Sequence, residues 1–385
     1  MSERHSDRFR QRHRLHRRLS HKVAAVTVTV CVALGLGACG DTGSDASGTI
    51  SGADGAGIAT ARAAIADLSK KPFTVEPLSK KPPTDKTVAF VNCTVSGCNP
   101  GKLEPVTRLL GWTSKEYSYD FAKGPQDFVA ALDSALASKP DYLVVTQGFP
   151  ESVVAKQIAQ AKAAGIPYID SSGASPIDGV TVNVIGGKAF EGVGTTLAHQ
   201  VLAMAGGSVE VAAVLDPTQP AMAASHRGFT VEMSKLSPNS KVNVLEASLS
   251  SPPTTTVTQT INFLRTHPAV KYLVYPGGTA LYTGMASALK SNGMNSKVKI
   301  VLGALSNPAN LPDIRIGDVA AGIAFFNSYQ YLIVDPLARL SVGDDIGSKA
   351  PPLPWVGVVT GENATDAALD PPGVSETFAR AWRVG

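Results

Sequence analysis

Several signatures of chemistry are missing from this 385-residue chain, and each absence removes a class of function. The Gly-rich pairs at 186–187 and 277–278 do not form a GxGxxG after a strand or a phosphate-binding P-loop. No Gly-x-Ser-x-Gly elbow and no paired-histidine metal motif occurs. Asp170 and Asp216 stand at the ends of expected strands and could act as acid or base. Strand-end carboxylates also cap helices, though, and no nucleophile with a base partner accompanies them, so the chain is not expected to be an enzyme. Cysteine is scarce at four residues, aromatics make up 6% and charged residues 17%. The apolar run 23-VAAVTVTVCVALGLGA-38 is 16 residues long, short of the roughly 20 that a spanning helix needs.

What is present begins with a basic leader. Residues 1–22 carry seven Arg and one Lys against Glu3 and Asp7, a net +6 with histidine neutral. The whole chain is +4 and residues 23–38 are uncharged, so the remainder is −2. The basic character therefore belongs to the leader, and no nucleic-acid-binding surface is expected. The junction 36-LGAC-39 resembles a bacterial lipobox, which implies cleavage before Cys39 and a lipid on its sulfur. The alternative is an uncleaved signal anchor. The expected location is extracytoplasmic, lipid-anchored to the outer face of the cytoplasmic membrane.

Removal of Cys31 with the leader and lipidation of Cys39 leave only Cys93 and Cys98, in 92-NCTVSGCNP-100. Two cysteines so spaced could be a disulfide, half a metal site, a redox centre or part of a pocket. An oxidising compartment favours a Cys93–Cys98 disulfide, with reduced thiols as the alternative. A zinc site would need two further ligands. The histidines beyond the leader, His199, His226 and His267, are not near the loop in sequence.

Residues 40–57, rich in Gly, Ser, Asp, Ala and Thr, read as a flexible tether, followed by a short helix over 58–71 and a Pro-rich extended segment to residue 86. From there strand and helix patterns alternate. Buried-type strands such as 142-YLVV-145 and 208-SVEVAAVLD-216 lie between helices of about ten to fifteen residues. This alternation predicts an α/β fold with parallel sheets, and about 300 residues of it predicts two lobes. A faint internal echo links 140-PDYLVVTQG-148 with 268-PAVKYLVYPGG-278.

The order of 142-YLVV-145, 163-AAGIPYID-170, 183-NVIGGKAFEGV-193, 225-SHRGF-229 and 263-FLRTHPAVKYLVYPGGTALYTGMASAL-289 resembles the type I periplasmic binding protein family, in particular sugar-type solute-binding lipoproteins of ABC importers. The resemblance covers roughly residues 86–360. It implies two Rossmann-like lobes joined by three crossovers, placed near 182–186, 325–329 and 350–355. The implied domains are a signal peptide 1–38, a lipid-tethered linker with a short helix 39–85, an N-terminal lobe 86–184 plus 327–350, a C-terminal lobe 185–326 plus 351–362, and a tail with a short helix 363–385. The implied function is capture of a small solute by hinge closure and its delivery to an ABC permease, with no cofactor and no metal. The alternatives are a membrane-tethered sensor feeding a signalling receptor and, after it, an exported α/β enzyme.

Where sugar-type members carry charged or amide groups, this chain has Ser225, 276-PGG-278, 304-ALSN-307 and 325-FFNSY-329. A sugar-like or a neutral, partly apolar solute is expected. The candidate ligand contacts are Asn92, Gln147, Phe149, Ser171, Ser172, Ser225, His226, Ser250, Gly277, Ser306, Asn307, Phe325, Asn327 and Tyr329. Of the other histidines, His199 is expected to be structural and His267 to cap a helix end.

Overall fold

The computed structural model describes residues 52–68, 70, 72–94, 101–146, 149–171, 178–346 and 355–385. A first helix, α1 (Gly52–Leu68), precedes the sheets. The first lobe follows as β1 (Thr87–Cys93), α2 (Glu104–Leu109), β2 (Thr113–Tyr119), α3 (Pro125–Ala137), β3 (Tyr142–Val145), α4 (Ala155–Ala163), β4 (Tyr168–Asp170) and β5 (Val182–Asn183). Its five strands run parallel in the order β2-β1-β3-β4-β5. Alternation along β1 divides its residues between two cores: Val88 and Phe90 face one side, Ala89, Val91 and Cys93 the other. A strand covered on both faces must be apolar throughout, and β3 is buried at all four positions.

The second lobe contains α5 (Gly187–Ala205), β6 (Glu210–Leu215), α6 (Pro220–Leu236), β7 (Lys241–Glu246), α7 (Pro253–Thr266), β8 (Val270–Tyr275), α8 (Met285–Ser291), β9 (Lys299–Leu305), α9 (Leu311–Arg315) and β10 (Ala321–Ala324). The chain then forms α10 (Gln330–Val342), β11 (Gly357–Val359) and α11 (Val374–Ala381). The sheet order is β11-β10-β9-β8-β6-β7. All pairs are parallel except β10–β11, so the expectation of parallel sheets holds for all but one edge strand. Without β11, the second sheet repeats the order of the first. The strands joined by the sequence echo, β3 and β8, occupy equivalent places in the two sheets.

The last helices return to the first lobe. Leu332, Ile333 and Leu337 of α10 and Phe378 of α11, with Trp382 just beyond it, complete the core against Val88, Phe90 and Ile169. Inside this core Asp335 accepts from Arg339 Nε at 2.7 Å and from Trp382 Nε1 at 2.9 Å. Both charged groups are essentially sealed from water, which stands only because each is paired and hydrogen-bonded.

The N-terminal segment differs from a loose tether. Residues 52–57, expected to be flexible, form the first turns of α1, and the helix ends three residues before the expected end at 71. The cause is tertiary. The buried Asp54 carboxylate accepts from Ser208 Oγ, Ser237 Oγ and Asn239 Nδ2 of the second lobe at 2.6–3.0 Å. Gly57 lies so close to α6 that a Cβ there would stand 1.7 Å from the Leu236 carbonyl oxygen. Helix propensity of a Gly-rich segment is weak, and docking of this kind overrides it. The stretch after β8 holds a 3-10 turn (Ala280–Tyr282) and then α8, with Gly284 between them in the left-handed region at φ +84°.

Candidate solute-binding site

The connections place the site. The first crossover leaves the carboxyl end of β5 and enters α5 within four residues. The second leaves the end of β10, where Phe325 belongs to the second-lobe core and Phe326 to the first-lobe core. Such short links hold the carboxyl edges of both sheets beside the hinge. In open α/β sheets ligands sit outside those edges, at the point where strand order reverses. Here the reversals fall between β1 and β3 and between β6 and β8, so the nominated loops are those after residues 93, 145, 215 and 275.

At the first-lobe edge, Asn92 is buried at the end of β1. Its Nδ2 donates to Glu116 Oε1 at 3.0 Å and its Oδ1 accepts from Thr146 Oγ1 at 3.4 Å. Phe149 follows β3 and stacks on Phe121, centroids 4.6 Å apart and planes within 9°, with Tyr119 and Phe128 behind it. This gives one wall an aromatic surface. Ser171, directly after β4, is fully buried, and its Oγ has no hydrogen-bond partner. Gln147, Ser172 and Cys98 lie outside the described residues, as do Cys39 and 350–354 of the expected third crossover.

Two residues not anticipated from the sequence join this edge. Asn183 pairs in register with Asp170. Both polar atoms of the Asn183 side chain are buried without a partner. Glu151, in the 3-10 turn after β3 (Glu151–Val154), has a buried Oε1 without a partner. Burial pushes the Tyr168 hydroxyl well above its usual pKa, and the nearby Asp170 and Glu151 carboxylates push it further. Buried polar atoms left unpaired cost about 1–3 kcal/mol each, so such a group at a strand-end edge suits a polar solute. No sequence pattern marks them, because pairing depends on residues far away in the chain.

At the second-lobe edge the candidates divide. Ser225 is fully buried in α6, and its hydroxyl donates to the Pro276 carbonyl at 2.6 Å, fixing the loop after β8. Gly277 in that loop packs on Met222, where a Cβ would come within 2.4 Å of the Met222 Cα. His226, next along α6, is half-buried with Nε2 unpartnered, and burial lowers its pKa. Asn307 Oδ1 accepts from Ala309 N at 2.9 Å and caps a 3-10 turn, while Ser306 beside it is half-buried. Phe325 packs in the core against Phe190, centroids 5.3 Å apart, and Ser250 is exposed. Asn327 and Tyr329 are half-buried after the second crossover. Asn327 N donates to the Leu369 carbonyl, and Tyr329 packs against the cores of both lobes.

The remaining histidines hold helices. His199 Nε2 lies 3.0 Å from Glu232 Oε1, joining α5 to α6, and His267 Nδ1 lies 2.9 Å from the Phe263 carbonyl at the end of α7. Among the described residues no cluster of His, Cys, Asp and Glu could hold a metal ion, and no helix is long and apolar enough to cross a membrane.

Two α/β sheets of like order, sharing a hinge and presenting their carboxyl edges to it, define a two-lobed solute-binding fold. The chain belongs to the family described as periplasmic binding protein domain, whose model matches residues 106–343, well over half its length. This is an extracytoplasmic family of binding proteins. Solved structures share the fold. A sugar ABC transporter sugar-binding protein from Bacillus halodurans is 18% identical, with TM-score 0.61, covering 72% of this chain and 99% of its own. A periplasmic solute-binding protein from Actinobacillus succinogenes with bound D-allose is 17% identical, with TM-score 0.60 and coverages of 73% and 99%. A structure described as a putative LacI transcriptional regulator from Bacteroides fragilis is 15% identical, with TM-score 0.57 and coverages of 73% and 98%. No curated protein matches the sequence. The family and most of these structures are of the type I, sugar-transporter kind, as the sequence resemblance implied.

Proposed function

We propose that the protein is a lipid-anchored, extracytoplasmic solute-binding subunit of an ABC importer. It captures a small solute between its lobes by hinge closure and presents the closed form to a membrane permease. The observation that carries this reading is the set of buried, unpartnered polar atoms at the carboxyl edge of the first sheet: Ser171 Oγ, Asn183 Nδ2 and Oδ1, and Glu151 Oε1. A solute that supplied their partners would be bound by hydrogen bonds in a desolvated cleft, and the Phe121–Phe149 stack would take its apolar face. The solute is sugar-like or neutral and partly apolar. The protein needs no cofactor and performs no catalysis.

The lipobox-like 36-LGAC-39 supports lipidation at Cys39, thirteen residues ahead of the first described residue of α1. Burial of Cys93 at the end of β1, in an exported chain, supports its pairing with Cys98. The lobes are assigned as 86–184 plus 327–350 and 185–326 plus 351–362. The deciding experiment is a thermal-shift screen of the exported chain against pooled sugars, nucleosides, amino acids and aromatic compounds. A solute at about 100 times its Kd adds about 2.7 kcal/mol of stability. Absence of a shift in every pool, or turnover in place of stoichiometric binding, overturns the proposal.

A further inference from the structure

We propose that α1 and the extended segment after it form an additional connection across the hinge, a strap that stiffens the motion of the two lobes whichever solute is bound. The two ends of this strap are fixed to different lobes. On the second lobe, Ile58 and Ala61 of α1 are buried, Ala61 within the core formed with α5 and α6, and Arg62 Nε donates to the Ala203 carbonyl at 3.5 Å. The Asp54 carboxylate and the Gly57 contact hold the same end.

On the first lobe, Phe73 packs edge-on against Phe326 at 5.2 Å and against Phe378 at 5.8 Å. The Glu76 carbonyl accepts from Arg339 Nη2 at 2.8 Å. Leu78 is fully buried; its N–H donates to the Ala381 carbonyl and its carbonyl accepts from Arg383 Nε.

Leu68, the last residue of α1, and Phe73 are only five residues apart in sequence. Five residues span at most about 18 Å fully extended, so the two anchor points cannot separate beyond that. Phe73 also rests on Phe326, the residue that receives the second crossover and sits in the left-handed region at φ +47°. The strap therefore bears on the hinge itself. Each end is held by several buried contacts, so relative rotation of the lobes has to work against them.

The test is an interlobe distance distribution from spin labels carried by non-natural residues at Ser134 on α3 and Thr258 on α7, both exposed and in different lobes. It is measured on the full chain without solute. A ten-residue Gly/Ser insertion between Lys71 and Pro72 is expected to widen the distribution about twofold. The same insertion between Ser44 and Asp45, ahead of α1, is expected to leave it unchanged. Undocking α1 with Asp54→Ala and Gly57→Val should reproduce the widening. A distribution that coincides with the parent after the 71/72 insertion overturns the strap, and so does equal widening by the control insertion. Should the undocked variant fail to fold, the two insertions alone decide.

Discussion

Phe325 and Phe326 are neighbours in the chain but belong to the cores of different lobes: Phe325 packs with Phe190 of α5, and Phe326 with Phe73 and the α10 core. The boundary between the lobes is a single peptide unit here. A left-handed φ of +47° at Phe326 lets the backbone turn both rings inward on opposite sides. Strain of this kind persists only where surrounding packing over-determines it.

Truncating each ring should therefore loosen a different lobe. Phe326→Ala and Phe325→Ala are each expected to cost about 3–5 kcal/mol in urea unfolding. Hydrogen exchange should separate them: faster exchange confined to β1, β3 and β4 in the first variant, and to β6, β8 and β9 in the second. Identical exchange maps would show that the two residues do not divide the lobes.

The unpartnered polar atoms at the first-lobe edge predict a trade between stability and binding. Asn183→Leu and Glu151→Met replace buried orphan groups with apolar ones of similar shape. Each is expected to raise the stability of the solute-free protein by about 1 kcal/mol. Each should also weaken binding of a solute found in the screen by tenfold or more in calorimetry. Unchanged affinity in both variants would remove these residues from the site.

The pair Lys86–Asp141 sets part of the acid limit. Burial pushes the Asp141 carboxyl up, but Lys86 Nζ at 2.8 Å and the amide and hydroxyl of Thr87 together hold it below its ordinary value. The unfolded chain then binds the proton first as pH falls. The stabilisation is complete above about pH 4 and is lost as pH drops through the lower folded value. Asp141→Asn should flatten the acid limb of the stability curve below about pH 4 and leave its shape near pH 7 unchanged, as read by thermal melts across pH. Because the pair is about one-third exposed, the change should be modest.

The buried ion pair makes a sharper claim. Asp335→Ala leaves Arg339 charged and uncompensated in the first-lobe core, at an expected cost of about 3–5 kcal/mol. Asp335→Leu combined with Arg339→Met should cost less than the single change. If the double variant is the less stable of the two in urea unfolding, desolvation is not what governs this pair.

Much of the scaffold could be read in advance, because apolar runs such as 142–145 and the spacing of Phe128, Leu132 and Leu136 carry their periodicity locally. Less local facts could not be read. The early start of α1 depends on Asp54 meeting three polar groups that lie 154, 183 and 185 positions away. The antiparallel pairing of β11 depends on how the chain returns from the first lobe. At the site the expected serines divide: the Ser225 hydroxyl is engaged by a backbone carbonyl, whereas Ser171 carries an unpaired atom, as do Asn183 and Glu151, which the sequence did not single out. Sequence names the polar groups, and only the fold shows which are already satisfied.

Phe378 and Trp382 close the core of the first lobe, although the strands they cover begin near residue 87. That lobe cannot seal during synthesis until residue 382 has emerged, so its exposed β1, β3 and β4 faces must wait for almost 300 residues. A chain built this way stays unfinished while it is being made. Late closure keeps the first lobe open while the chain is made, and any truncation before residue 382 should leave the first lobe, not the second, open to proteolysis.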